Sequence, residues 1–313
     1  MSDLKLFRTG PTGVIELAGQ SVQIEKSLQG LFEANLEALL GIRFLATEHS
    51  TGPVHGGRID TLGIDEDGCP VIIEYKRAVN ENVVSQGLFY LDWLMDHKKD
   101  FQWLVMEKLG SEAAKTVDWS APRLVCIAGD FTRYDQHAVK QINRNIELLR
   151  YRRFGDEFLI IELVHAPKVT KVQPVLPSDS PSGEGPLTTG SNSSQSQDIH
   201  YRIANASPET RAVYEAVRAF LTGLGDDVQI KEVQNYIAFK RIKNFACVEV
   251  YPQNQTVKTF LKISPDTVEI EKGFTRDVRK IGHFGTGDLE VVMKSMDDFT
   301  KAQPLFQRAY EGS

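Results

Sequence analysis

One segment of this sequence, Lys168–Ile199, lacks the apolar residues that a folded core requires. It contains four prolines, many serines and glycines, and almost no large apolar residue beyond its first third. Such a composition cannot bury enough apolar surface to offset chain entropy, and it is typical of flexible linkers. We therefore expect an N-terminal domain over residues 1–167, a linker over 168–199 and a C-terminal domain over 200–313.

Length and charge limit the class of protein. The 313 residues suffice for two domains of ordinary size. Apolar runs such as Phe158–Val164 are far shorter than a membrane span, and Met1–Lys5 lacks the apolar core of a signal peptide. We expect a cytoplasmic protein that does not bind membranes. The formal net charge of −6 weakly disfavours non-specific nucleic-acid binding, although affinity for phosphate depends on local patches.

The cysteine pattern excludes two kinds of site. The three cysteines are Cys69, Cys126 and Cys247, which lie far apart and form no C-x-x-C pair. Neither a zinc knuckle nor a disulfide framework is therefore indicated. Cys126 and Cys247 lie in apolar, strand-like runs, so we expect both to be buried as small hydrophobic residues.

Hydrophobic periodicity predicts a mixture of helices and strands in the N-terminal domain. The predicted helices are Glu25–Leu40, Glu81–Asp96 and His137–Arg144, and the predicted strands are Val14–Leu17, Arg58–Gly63, Val71–Lys76, Leu124–Ala128, Glu147–Arg153 and Phe158–Val164. An Asp-Gly turn within Asp65–Gly68 joins two of these strands into a hairpin. The alternation indicates an α/β fold with a mixed sheet.

The C-terminal domain is expected to be a small α+β module. Ser207 caps a predicted helix over Pro208–Leu221, and strands are predicted near Phe245–Val250 and Thr259–Ile263. The chain is expected to end in helices that include Leu289–Lys294 and Ala302–Tyr310. Aromatic and basic residues alternate over Tyr236–Phe245, a pattern that fits either a nucleic-acid-binding strip or an ordinary amphipathic element.

The predicted hairpin carries the residues with the clearest chemical use. Glu74 and Lys76 are two residues apart on one strand, so their side chains share a face. The tight turn can bring Asp60 against Glu74. Two carboxylates suit Mg²⁺ or Mn²⁺, which prefer oxygen ligands, and a lysine beside them can position or deprotonate water. An ion pair between Glu74 and Lys76 at a sheet edge is the alternative interpretation.

Asp60, thirteen intervening residues and then Glu74-Tyr75-Lys76 resemble the signature of the PD-(D/E)xK nuclease superfamily. The segments Gly57–Gly63 and Val71–Arg77 are most similar to the catalytic domain of NucS-type endonucleases, although Ile59 stands where the superfamily often has proline. The resemblance implies a restriction-endonuclease-like mixed sheet flanked by helices. The C-terminal segment Tyr236–Tyr310 resembles a domain of unknown function that is found attached to nuclease-like domains.

The resemblance also implies a third acidic residue on the helix before the aspartate strand. Glu25 falls on the helical face of Leu28 and Phe32, whereas Glu33 lies at the edge of that face and Glu37 further round. An inward carboxylate must be paired or bind a metal, which favours Glu25 as a metal ligand. A Glu25 that is merely exposed in the first turn is an equally weighted alternative, and Glu33 remains a second candidate.

Four further residues complete the predicted site. Gln86 and Tyr90 resemble the Gln-x-x-x-Tyr element that follows Glu-x-Lys in several nuclease families, with Gln86 near the nucleophile or lysine and Tyr90 near phosphate. Their i, i+4 spacing places them on one helical face. Arg58 and Arg77 flank the two catalytic strands and are expected to hold the nucleic-acid backbone.

These residues predict a Mg²⁺- or Mn²⁺-dependent nuclease, with a DNA endonuclease favoured over an enzyme that cuts RNA. Asp60 and Glu74 are the expected metal ligands, and Lys76 is expected to orient or activate water. The expected partner is nucleic acid, and a homodimer is one compatible assembly. The alternative is a nuclease fold that binds nucleic acid or a protein partner without cutting.

Overall fold

The computed structural model describes residues 4–11, 13–20, 25–76, 83–155, 157–167 and 198–313. The chain divides into two compact units, Met1–Pro167 and Lys168–Ser313. Apart from Asp198 and Ile199, the predicted linker lies outside the described residues. Ile199 begins a helix whose first turn is capped by the Asp198 side chain, so the regular structure of the second unit starts earlier than the predicted helix at Pro208.

The first unit contains nine strands and seven helices within its described residues. The strands are β1 (Leu6–Gly10), β2 (Gly13–Leu17), β3 (Gly19–Gln20), β4 (Ile42–Ser50), β5 (Arg58–Asp65), β6 (Pro70–Lys76), β7 (Arg123–Ala128), β8 (Asn145–Phe154) and β9 (Phe158–His165). The helices are α1 (Glu25–Ala34), α2 (Leu36–Leu40), α3 (Gly52–His55), α4 (Val83–Asp96), α5 (Lys98–Leu109), α6 (Ser111–Lys115) and α7 (Arg133–Gln141).

A seven-stranded mixed sheet forms the centre of this unit. Its order is β3-β8-β7-β6-β5-β4, with β9 added alongside β8. Strands β6, β7 and β8 are parallel, and the other neighbours are antiparallel. Apolar residues of α4, α5 and α7 form one core with the sheet, and Phe32 of α1 packs on Tyr75 of β6 with ring centroids 5.8 Å apart. The predicted mixed sheet flanked by helices is confirmed.

Local hydrogen bonds explain where two predicted helices differ from the structure. The predicted helix Glu25–Leu40 is interrupted at Asn35, whose side-chain amide donates to the Leu31 carbonyl and so competes with the backbone ladder. The second piece ends at Gly41, which adopts φ 65°, a conformation that favours glycine. Helix α7 begins before His137 because Thr132 and Asp135 form a capping box.

The second unit is a six-stranded antiparallel sheet with helices packed on one face. Its strands are β10 (Gln229–Glu232), β11 (Ile237–Lys240), β12 (Asn244–Tyr251), β13 (Thr256–Leu261), β14 (Thr275–Asp277) and β15 (Leu289–Met293), in the order β10-β11-β12-β13-β15-β14. Its helices are α8 (Ile199–Ala204), α9 (Pro208–Thr222) and α10 (Met296–Glu311). No helix in the described ranges is long and apolar enough to cross a membrane.

One expectation for this unit is wrong, and the structure decides between two interpretations of another segment. Leu289–Lys294 was expected to be helical, yet Leu289, Val291 and Met293 alternate into the core as strand β15 between β13 and β14. A short apolar run has no clear period, so strand pairing decides its conformation. The aromatic members of Tyr236–Phe245 are buried, which removes them from any base-stacking surface and leaves the amphipathic interpretation.

Candidate active site

Strands β5 and β6 separate at the point where the two carboxylates lie. Their regular pairing ends at Thr61 opposite Ile73. Beyond that pair, the backbone N–H of Tyr75 donates to Asp60 Oδ2 at 2.9 Å, and the backbone N–H of Asp60 donates to Glu74 Oε1 at 3.2 Å. The carboxylates thus take the place of the missing ladder bonds. Each is anchored by the strand that carries the other, which brings Asp60 and Glu74 together.

Burial distinguishes the members of this group. Glu74 is fully buried, whereas Asp60 and Lys76 are half-buried. Glu74 lies beside Cys126 of β7, and Lys76 lies beside Ala128 in the parallel register. Burial, followed by the nearby Glu74 and Asp135 carboxylates, raises the pKa of the Cys126 thiol. This thiol therefore stays protonated and behaves as the small buried hydrophobic residue that the sequence predicts.

We refer to the point between β5 and β6 where the Asp60 and Glu74 carboxylates meet as the fork. Its oxygen donors are of the kind that a hard divalent cation prefers. Mg²⁺ is commonly held by one or two carboxylates together with waters and substrate phosphates. Within the described ranges, no group of three or more His, Cys, Asp or Glu side chains is placed to hold a metal. Asp60 and Glu74 supply two carboxylates, which is the number that Mg²⁺ commonly takes from a protein.

The glutamates of α1 do not all reach this fork. Glu25 is the first residue of α1, and its side chain lies outside the described part of the structure. Glu33 Oε1 accepts a 2.6 Å hydrogen bond from the Thr61 hydroxyl, which lies 3.4 Å from the Tyr75 hydroxyl. Thr61 and Tyr75 each stand next to a site residue along the chain and therefore face the opposite side of the sheet.

Gln29 of α1 is a buried residue that the sequence did not single out. Its side-chain nitrogen lies 2.8 Å from the Asp60 carbonyl oxygen, 3.1 Å from the Thr47 hydroxyl and 3.0 Å from Glu33 Oε1. It therefore ties α1 to β4 and to β5 at the position of the predicted metal ligand. Sequence position alone could not reveal this role, because a glutamine on a helix is ordinarily solvent-exposed.

Replacing Gln29 by leucine should lower the free energy of unfolding by about 1–3 kcal/mol, because it leaves buried acceptors without their donor. Urea denaturation measures this change. Gln136→Leu is the matched control, since Gln136 makes a single long bond, 3.4 Å, to the Phe131 carbonyl. An equal loss in both variants would contradict the assignment of Gln29 as the residue that fixes the strand at Asp60.

Helix α4 contributes Gln86 and Tyr90 next to the start of β5. The Tyr90 hydroxyl accepts from the backbone N–H of Arg58 at 3.2 Å and from the Gln86 amide at 3.3 Å. Gly57 permits this approach, since a Cβ at that position would lie 2.7 Å from the Tyr90 ring. Tyr90 is buried and supports the backbone two residues before Asp60, so a direct contact of Tyr90 with phosphate stays a prediction.

The structure describes one of the two predicted phosphate-binding arginines, Arg58. The Arg58 side chain is 68% exposed, and its Nη1 lies 3.8 Å from Glu48 Oε2. An ion pair that is this exposed and this widely separated contributes little to stability. It also leaves the guanidinium accessible to an anion. Arg77 lies outside the described residues.

A second cluster of charged side chains is buried at the other end of β5. Arg123 of β7 forms a two-pronged pair with Glu147 of β8, at 2.9 and 2.7 Å, and donates to Asp65 of β5 at 3.0 Å. All three side chains are at least 95% buried. Burial opposes the charged guanidinium, but the two carboxylates outweigh it and raise the Arg123 pKa. This cluster joins three strands and was not predicted.

Comparisons with known proteins give two sequence matches. Residues 199–313 match the family model described as a domain of unknown function (DUF5655). A protein of Haemophilus influenzae, named only as an uncharacterized protein, is 28% identical over 312 residues, which is 98% of this chain and 99% of the relative.

Two solved structures are similar over part of the chain. One is a repair endonuclease from Pyrococcus abyssi, with 22% identity, a TM-score of 0.28 and coverage of 44% of this chain and 51% of that one. The other is an EndoMS–dsDNA2 complex, with 22% identity, a TM-score of 0.24 and coverage of 44% and 47%. The matched part thus spans about half the length of each solved chain.

Proposed function

We propose that the first unit is a metal-dependent nuclease that hydrolyses phosphodiester bonds, with DNA as the favoured substrate. The observation that carries the proposal is the fork between β5 and β6, where the Asp60 and Glu74 carboxylates anchor each other's strands. Lys76 follows Glu74 on the same face of β6. This set resembles the PD-(D/E)xK signature, which supports the assignment.

Each residue of the fork has a distinct task under this proposal. Asp60 and Glu74 would hold Mg²⁺ or Mn²⁺, which when bound polarises a phosphate and lowers the pKa of water. The Lys76 ammonium orients the attacking water and offsets negative charge that develops on the phosphate. Gln86 donates to the Tyr90 hydroxyl, which in turn accepts from the backbone N–H of Arg58 at the start of the strand that carries Asp60. Arg58 offers an exposed guanidinium two residues before Asp60.

Replacing Glu74 by glutamine should weaken Mn²⁺ binding by at least the 10- to 100-fold that is typical of altering an outer-shell partner of a metal ligand. The amide keeps an oxygen that can accept from Asp60 N–H but loses the negative charge. Calorimetric titration measures the affinity, and cleavage of single-stranded, duplex, mismatched and branched substrates with Mg²⁺ and Mn²⁺ measures activity. Glu112→Gln is the control, because that side chain is 85% exposed on α6.

The outcomes separate the nuclease from its alternative. Metal-dependent cleavage that is lost in Glu74→Gln and kept in Glu112→Gln supports the nuclease. Wild-type protein that binds Mn²⁺ and nucleic acid but cuts no substrate of the panel favours a non-catalytic binding module. Equal Mn²⁺ affinity in wild type and Glu74→Gln would remove Glu74 from the metal site.

A further inference from the structure

A continuous series of aromatic and histidine rings lies on the first unit beside the start of β5. We refer to it as the aromatic ledge, and its members are His49, His55, Phe89, Tyr90, Trp93 and His97. They come from three elements, the edge strand β4, the short helix α3 with its flanking turn, and helix α4 with the residue that follows it. Residues far apart in the chain therefore build one surface.

The rings contact one another in sequence along the ledge. Trp93 stacks on His97 with centroids 4.7 Å apart and planes 15° apart, and His97 meets the edge of His55 at 6.1 Å. His55 lies 5.0 Å from Phe89, which lies 6.1 Å from Tyr90. His97 is also fixed by a 2.8 Å contact of its Nδ1 with the Trp93 carbonyl oxygen. The ledge is therefore preorganised.

Some members of the ledge are buried and others are exposed to solvent. Tyr90 and Trp93 are buried, whereas Phe89 is 47% exposed and the neighbouring Val54 is 90% exposed. His55 and His97 are half-buried. The exposed Phe89 ring lies 5.0 Å from the half-buried His55 ring, so the two together present ring surface to solvent. The buried rings hold the exposed ones in place.

The position of the ledge connects it with the proposed site. Its last ring, Tyr90, accepts a hydrogen bond from the backbone N–H of Arg58, and Asp60 follows two residues later on β5. A ligand lying on Phe89 and His55 would therefore border the strand that carries the first proposed metal ligand. The exposed Arg58 guanidinium lies on the same stretch of chain and is suited to a phosphate.

Charge does not explain what the ledge would bind. Exposed residues around the α4–α5 junction carry both signs, with Asp92, Asp96 and Asp100 against Lys98 and Lys99. Burial lowers the pKa of His49, which keeps that ring neutral at neutral pH. The exposed Phe89 face beside the exposed Arg58 guanidinium matches the chemistry of a nucleotide, whose base stacks on aromatic side chains whatever its identity. A protein partner would receive no phosphate contact there.

We propose that the aromatic ledge stacks on an unpaired base of the nucleic-acid substrate next to the scissile phosphate, with Phe89 and His55 as the contacting residues. The inference rests on the proposed nuclease function and names its substrate class. An unpaired base arises in a single strand or where a base leaves a duplex. The stacking chemistry is the same in both cases. A base that stays paired in a duplex presents only its edge and therefore cannot stack on the ledge.

Binding of short labelled oligonucleotides, measured by fluorescence anisotropy in the presence of EDTA, tests the ledge separately from cleavage. The probes are a single strand, a duplex with one unpaired base and a fully paired duplex. Wild type should bind the first two at least tenfold more tightly than the third. Phe89→Ala should remove about tenfold of that affinity, as expected for the loss of one base–aromatic stack. His55→Ala should act in the same direction, and Phe89→Tyr should retain binding.

Phe158→Ala is the matched control, because Phe158 is 45% exposed on β9, at the opposite edge of the sheet from β4. An effect of Phe89→Ala on one of the two unpaired probes alone identifies the source of the base. If Phe89→Ala and His55→Ala bind the probes as tightly as wild type and cleavage is intact, the proposal for the ledge is wrong and the nuclease proposal is unaffected. Wild type that prefers the paired duplex also overturns the proposal for the ledge. Wild type that neither binds nor cuts any probe overturns both proposals.

Discussion

Lys76→Ala should lower the rate of nucleic-acid cleavage by about 10²- to 10⁴-fold, the range that a positioned general acid or base contributes. Mn²⁺ affinity should change little, because the Asp60 and Glu74 carboxylates stay in place at the fork. Lys76 is half-buried at the last position of β6, opposite Ala128 of β7 in the parallel register. Single-turnover cleavage, calorimetric titration and thermal melting together separate chemistry from binding and folding.

The control for this variant is Lys115→Ala. Lys115 is exposed on α6, and its Nζ pairs with Glu112 Oε1 at 2.7 Å. Such an exposed pair contributes about 0.2–1 kcal/mol to folding, and its loss should not alter cleavage. Equal cleavage rates for wild type and Lys76→Ala would show that the lysine has no catalytic role, even if Glu74→Gln is inactive.

Arg123→Met should lower the free energy of unfolding by about 3–5 kcal/mol, because it leaves the Glu147 and Asp65 carboxylates buried without their counter-charge. Methionine has a similar length, so the loss reflects charge rather than an empty cavity. Since a domain is stable by about 5–15 kcal/mol, the variant should be close to unfolding at growth temperature. Urea denaturation followed by circular dichroism measures the change.

Two further variants make this prediction specific. Arg133→Met, at an exposed position on α7, should change stability by no more than about 1 kcal/mol, because the contact of its guanidinium with the Tyr134 ring is exposed. The combination Arg123→Met, Glu147→Met and Asp65→Asn should recover much of the loss, because it removes the buried charges while keeping the Asp65 oxygen that accepts from Cys69 N–H at 2.9 Å. A triple variant no more stable than Arg123→Met would contradict the electrostatic explanation.

The sequence predicts the fold where local signals agree. The Asp-Gly turn and the flanking β-branched residues predict the β5–β6 hairpin, and Ser207 with Pro208 predicts the start of α9. Strand β15 was mistaken for a helix because its apolar run is too short to define a period. Helix α5 was missed because Phe101 and Val105 are its only buried residues, too few for an amphipathic stripe.

The candidate site, like the fold, could be predicted only where local sequence signals suffice. Alternation along β6 and a tight turn are sufficient to predict that Asp60, Glu74 and Lys76 share one face, and the structure brings Asp60 and Glu74 together. Gln29 and Arg123 could not be found in this way, because their partners depend on how α1, β5, β7 and β8 pack together. The Gln29–Asp60 bond joins residues 31 positions apart, and the Arg123–Asp65 bond joins residues 58 apart. No local pattern encodes contacts over such separations.

These separations also order the events of folding. Closing a short loop costs less entropy than closing a long one, and antiparallel hairpins form before parallel pairs that need a long crossover. Asp60 and Glu74 are 14 residues apart in a hairpin, whereas Arg123 joins β5 only after the crossover from β6 to β7 has closed. The newly formed hairpin therefore brings two like charges together early, before the rest of the sheet can hold them. In that early hairpin, the backbone N–H groups of Asp60 and Tyr75 are the donors that offset the repulsion between the two carboxylates.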